Sequence, residues 1–293
     1  MPITSFKALV DAEEAGQTFF GGFRKSINVV SGNGSWFDVT LSPGNPLPFY
    51  YASTPLVGLP ISQAVNGGIP HNGPVASFGY KTYLKTLSIT PLSPTAIQSG
   101  PMILMDYLFY YPFIDTGNTD EQVLNNTASL TRYTDGAGVS VMAVQLAGML
   151  GTGNPTFNFT YINQNGVLKT SPTQTCGFAS LVGQLATGNN GTFAAPRSNY
   201  PFLALEPGDT GIRSVQSVTF ATPDIGLLAF VLVKPLEQIM LRETAQTGER
   251  TPVLDFLDLP VIADNAYLSI LLNSGNTSTN GTSFIGTIQT VWG

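Results

Sequence analysis

The chain has few of the side chains that perform most protein chemistry. Its 293 residues include one histidine, His71, and one cysteine, Cys176, and only 10% are charged, against about 25% in an ordinary soluble domain. Proton transfer, nucleophilic attack and metal ligation draw mostly on His, Cys, Lys and paired carboxylates. Between Val139 and Leu205 the only charged residues are Lys169 and Arg197, so that stretch holds no acid–base pair of its own. No enzymatic activity, cofactor or required metal is expected.

Basic runs and long apolar runs are missing too. Lys and Arg total 12, scattered from Lys7 to Arg250, against 18 Asp and Glu, for a net charge of −6. No row of them could neutralise successive phosphates, which argues against a nucleic-acid partner. The most continuous apolar run, Ile225 to Val233, is about half of what a membrane crossing needs. The N-terminal MPITSFKALVDAEEAG lacks the basic and apolar regions of a signal peptide. The expectation is a protein that neither spans a membrane nor leaves the cell by such a signal. A lone cysteine leaves no intrachain disulfide to stabilise the monomer.

What is abundant is Thr, Ser, Asn and Gly interleaved with 18 Phe and 11 Tyr, enough apolar matter for a real core. Phe6, Leu9 and Val10 share one face of a short helix that stops at Gly16. From there the periodicity is that of strands: Trp36 to Leu41, Lys81 to Thr90, Val139 to Gln145 and Phe157 to Tyr161. Later strands are expected over Val215 to Thr222, Leu227 to Val233, Gln238 to Arg242, Ala266 to Leu272 and Phe284 to Trp292. Met102 to Ile114 reads as a strand covered on both faces, and Asn165-Gly166 is a strong hairpin signal. Roughly ten strands without βα alternation predict an all-β, antiparallel, jelly-roll-like sandwich. Residues 42–74 contain twelve Gly or Pro, which predicts an N-terminal helix and extended arm over 1–74 ahead of a sandwich body over 75–293.

Candidate sites are few. Asp115, Asn118, Asp120 and Glu121 concentrate oxygen ligands without the spacing of a calcium loop. The plainer reading is a turn, with Thr119 or Asp120 capping a short helix through Glu121, Val123 and Leu124. Asp255, Asp258 and Asp264 lack an evident partner cluster for glycosidase chemistry. His71 lies in a Gly/Pro-rich turn, and Cys176 reads as a small buried apolar residue. Five Asn-x-Ser/Thr triplets, at Asn125, Asn158, Asn190, Asn276 and Asn280, read as turn chemistry. The aromatic cluster Phe19, Phe20 and Phe23 is the candidate contact with a shell or another subunit, the alternative being that it seats the arm on its own body.

The segments YYPFIDTGNTDEQVLNNTASLTRYTDGAGVSVMAV (110–144), GDTGIRSVQSVTF (208–220), GLLAFVLVKPL (226–236) and FFGGFRKS (19–26) together resemble virion structural proteins of tailed bacteriophages. No long spine helix is readable, so the resemblance is to capsid decoration, or cement, proteins more than to a shell protein. It implies a homotrimer in the virion, assembled in the host cytoplasm, with the major capsid protein as partner. A receptor- or sugar-binding virion appendage is the alternative.

Overall fold

A computed structural model describes residues 3–27, 34–72, 79–92, 100–148, 155–177, 181–187, 200–241, 246–252, 259–274 and 282–293. The chain runs α1 (Phe6–Glu14), β1 (Thr18–Ser26), β2 (Ser35–Asp38), a 3-10 turn (Val39–Leu41), β3 (Gly44–Asn45), β4 (Leu59–Pro60) and α2 (Gln63–Asn66). The middle comprises β5 (Thr82–Pro91), β6 (Gly100–Asp115), β7 (Gln122–Val123), β8 (Ser140–Ala147), β9 (Thr156–Asn163), β10 (Leu168–Thr170) and β11 (Gln174–Thr175). It closes with β12 (Ile212–Phe220), β13 (Leu227–Leu241), β14 (Gly248–Arg250), β15 (Val261–Ile262), β16 (Tyr267–Ser274) and β17 (Ser283–Trp292).

These strands form an all-β antiparallel sandwich of three sheets rather than two. The first has the order β14-β5-β17-β1-β3, with β15 beside β5. The second is β10-β9-β12-β7, with β11 beside β9, and the third is β2-β16-β6-β13-β8, with β4 beside β6. The third sheet serves both of the others because β6 and β13 run for 16 and 15 residues. One end, with Met102, Leu104, Ile239 and Leu241, packs with Phe23, Leu87 and Ile288 of the first sheet. The other end, with Tyr111, Ile114, Leu228 and Phe230, packs with Phe157, Phe159 and Val215 of the second. The expected strands over Leu227–Val233 and Gln238–Arg242 are thus one, β13.

Alternation explains the composition of β13. Leu228, Phe230 and Leu232 enter one core, while Ala229, Val231 and Val233 enter another with Trp36, Tyr51 and Phe202. A strand buried on both faces is apolar at nearly every position. On half-open strands the outward positions carry hydroxyls that bond across the ladder: Ser88 to Thr287 at 2.6 Å and Thr160 to Ser217 at 2.7 Å. Such cross-strand pairs account for much of the Thr and Ser.

The division into an arm over 1–74 and a body over 75–293 does not correspond to any break in packing. β1 pairs with β17 along its whole length, from Thr18 opposite Val291 to Ser26 opposite Ser283. β2 pairs with β16, and Trp36, Tyr51, Ile61 and Ile69 are core residues. The Gly/Pro-rich stretch is a layer pressed onto the third sheet: Phe49 meets Tyr51 and Tyr110 edge-to-face with centroids 5.6 Å apart. The helical face is also shifted. Leu9 and Ala12, with Ile3, pack on Tyr83, Leu259 and Val291, whereas Phe6 is exposed. Ser5 caps α1 by accepting from the Ala8 amide at 3.1 Å.

Candidate interaction surface

The aromatic trio on β1 divides by strand alternation. Phe23 is 3% exposed and lies in the core between the first and third sheets, against Gly286, where any Cβ would collide with its ring. Phe19 is half-buried. Phe23 cannot serve as an open contact, so for that residue the structure corrects the shell-contact reading. Phe20 points the other way and is 69% exposed.

Phe20 begins an outward row with Gly22 and Arg24. Beside them on β17 stand Gln289, Thr287 and Ile285, and beyond those on β5 stand Thr86, Ser88 and Thr90. This part of the face carries hydroxyls, one amide, two exposed apolar side chains and a single charge. β3 covers only Arg24 and Lys25 of β1, so from Thr18 to Phe23 the strand has one neighbouring strand among the described residues. Edge strands are usually guarded by Lys, Pro or a bulge; TFFGGF has none.

Behind this face lies a buried polar network. Asp38 accepts from the Thr40 amide at 2.9 Å and from the hydroxyls of Tyr51 and Tyr107 at 2.5 and 2.8 Å. Burial raises its pKa, and these hydrogen bonds oppose the rise. Lys25 donates to the Ser42 carbonyl at 3.0 Å, and burial lowers its pKa to about 8 against the pull of Asp38. Asp106, inside β6, meets Arg132, and burial raises its pKa while the guanidinium lowers it. These contacts seat β1, the Gly/Pro layer and the central strand against one another. Their burial leaves no room for a substrate.

The other candidates have local explanations. Asp115 accepts from the Gly117 amide and Asn118 from that of Asp120, and Gln122 bonds both the amide and the carbonyl of Asp115. Residues 122–123 are strand β7, paired with β12, so the expected short helix through Glu121 does not form. Among the described residues no group of three His, Cys, Asp or Glu is placed to hold a metal, and no helix is long and apolar enough to cross a membrane. His71 is buried, its Nε2 2.7 Å from the Ala266 carbonyl. Cys176 is buried, which pushes its thiol pKa up. Asp255, Asp258, Asn190, Asn276 and Asn280 lie outside the described residues. Asn125 is exposed, and Asn158 faces outward on β9, where it donates to the Ser171 carbonyl at 3.0 Å.

A further feature lies beside β12. A cavity of about 310 Å³ opens between the 126–134 loop and β12. Phe109 and Tyr111 form its floor, Ala128, Leu130 and Ile162 its apolar walls, and Ser129, Thr134 and Arg213 its polar rim. The sequence signals were the turns Asp135-Gly136 and Asn165-Gly166, which close on Arg213 from distant parts of the chain.

No protein-family model matches this chain, and no curated protein does. Among solved structures, the infectious bursal disease virus VP2 subviral particle aligns with 94% of this chain and 80% of that one. The identity is 8% and the TM-score 0.18, a likeness too slight to carry any argument about fold or function.

Proposed function

We propose that this protein is a structural virion component, a decoration or cement protein that binds the major capsid protein and reinforces an icosahedral shell. The observation that carries this reading is Phe20, an exposed ring on a hydroxyl-lined, nearly uncharged sheet face beside an unguarded strand edge. A face of this kind suits a protein partner, because interface centres favour aromatics and are poor in charge. The phage-like segments at 110–144, 208–220 and 226–236 and the scarcity of catalytic side chains support the same reading. A homotrimer would present three copies of the face at once and gain avidity from high effective concentration. Binding should persist at high salt, since few ion pairs are available to screen.

The test is the stability of assembled particles to heat or osmotic shock, with and without the protein. Equal stability eliminates the decoration role. Light scattering that gives a 31.1 kDa monomer eliminates the trimer. The cavity beside Arg213 favours a second reading, a receptor- or sugar-binding appendage, which equal particle stability would bring to the front.

A further inference from the structure

We propose that the cavity beside Arg213 is a binding site for a single acidic sugar unit, a ring of hydroxyls carrying one carboxylate. The site does not depend on shell binding, since a decoration protein and an appendage could each carry it.

The guanidinium is fixed before any ligand arrives. Its Nε donates to the Asp135 carbonyl at 3.1 Å and its Nη2 to the Gln164 carbonyl at 2.6 Å. Both acceptors are neutral backbone groups, and Arg213 forms no ion pair among the described residues. Among the described residues the Nη1 group donates no hydrogen bond. Gly136 adopts φ +73°, and a Cβ there would lie 2.7 Å from the Ile212 carbonyl oxygen and 2.9 Å from Arg213 Cγ. Only glycine lets that turn close on the arginine. On the other side Gly166 lies beside Nη1.

A cation held in place by carbonyls retains its full charge for an incoming anion. The planar fork of arginine matches a carboxylate better than a point charge does. The rest of the lining selects what else the anion carries. The half-buried Ala128 and Ile162 suit the carbon face of a sugar ring, above the buried rings of Phe109 and Tyr111 that close the cavity beneath them. The exposed Ser129 and Thr134 at the rim offer hydroxyls to its hydroxyls. At about 310 Å³ the cavity sits at the lower end of ordinary ligand sites, about 300 to 1,000 Å³. It therefore takes one ring and not a chain, and a single cation among its described lining residues does not suit a polyphosphate.

Calorimetric titration of the full chain with N-acetylneuraminic acid and with glucuronic acid tests this, with glucose and sodium acetate as controls. At least one acidic sugar should bind saturably, with glucose and acetate each weaker by at least about tenfold. Arg213→Lys keeps the charge but loses the fork, and should weaken binding by about tenfold or more. Ala128→Trp fills the cavity without touching the carbonyls that hold Arg213, and should abolish binding while circular dichroism is unchanged. It keeps the test decisive if Arg213→Lys fails to fold. A trisaccharide ending in the same acidic unit distinguishes the sources: tighter binding identifies a glycan terminus, equal or weaker binding the free sugar. No saturable signal from either acidic sugar, glucose or acetate binding as tightly, or full binding by Ala128→Trp overturns the proposal. Particle stability is measured separately, so failure of this site and failure of the decoration role are distinguishable.

Discussion

Arg132 grips Asp106 at two points, Nη2 to Oδ1 at 2.7 Å and Nε to Oδ2 at 2.9 Å, with the two side chains 7% and 0% exposed. The same guanidinium donates to the carbonyls of Ile61 and Tyr107, at 3.1 Å each, and Asp106 Oδ1 also accepts from the Tyr267 amide at 3.0 Å. A single side chain thus ties the Gly/Pro-rich layer to the central sheet. Removing one partner of such a pair strands the other in a dry interior, at a cost of about 3–5 kcal/mol. Arg132→Ala should lower the denaturation midpoint accordingly, and Arg132→Lys should recover part of the loss. A midpoint unchanged by Arg132→Ala would show that the pair contributes nothing net.

Because β1, β2 and the Gly/Pro-rich layer are built into the sheets, a truncated protein beginning at Val75 is expected not to fold. It loses the strand paired with β17 and the rings of Phe49 and Tyr51 over the central sheet. Circular dichroism and dispersion of proton NMR signals check this. A soluble, cooperatively melting fragment would restore the view of 1–74 as a separable arm.

Phe20 and Phe23 should separate binding from folding. Phe20→Ser alters an exposed position and should change stability by no more than about 0.5 kcal/mol, yet weaken binding to shells. Phe23→Ser empties a core position and should cost at least about 3 kcal/mol, seen as a lower melting temperature. Equal shell binding by the Phe20→Ser protein would remove this face from consideration.

His71 sets an acid limit. Burial lowers its pKa, the positive charge of Arg132 adds to the fall, and the Ala266 carbonyl and Asp264 oppose it. The unfolded chain therefore takes up the proton first, near the ordinary histidine value of 6.5, and stability falls as pH drops below that toward the lower folded value. Asp38 and Asp106 act in the opposite sense: with folded pKa values raised, they bind protons sooner in the fold and favour it in acid. Their effect is common to the His71→Gln protein, so the difference between the two melting curves isolates the histidine. The wild type should lose stability relative to His71→Gln between pH 7.5 and 5, and parallel curves would show that His71 does not titrate.

Much of this architecture is legible in the sequence because a strand's burial is written at period two. Phe157, Phe159 and Tyr161 alternate with Asn158, Thr160 and Ile162, which gives away a half-open strand, and the long, mostly apolar run of β6, interrupted by Asp106, gives away a doubly covered one. Partnership across long separations is not written locally. Nothing near Thr18 announces that its partner is Val291, so the glycine and proline content of 42–74 suggests a detached arm where tertiary packing holds residues 42–72 in place. Phe6 looked like the inner face of α1, but the patch over Tyr83 and Val291 takes Leu9 and Ala12 instead. In the aromatic trio, alternation could have assigned Phe20 and Phe23 to opposite faces, but the glycines between them hid the strand. Arg213 escaped notice because its carbonyl partners come from turns 78 and 49 residues away.

The pairing of β1 with β17 also bears on how the molecule is made. Ser26 and Ser283 share a hydroxyl bond at 2.5 Å across 257 residues of chain. During synthesis β1 therefore emerges long before the strand that completes it, and its uncharged edge waits exposed on the ribosome. Loop closure over such a span is slow, and unpaired apolar strands are what aggregates in the interval. Yield in the cell should thus be governed by the time to that last pairing, so slower synthesis at lower temperature, or a chaperone that holds TFFGGF, should raise the soluble fraction with no change in the finished protein's stability.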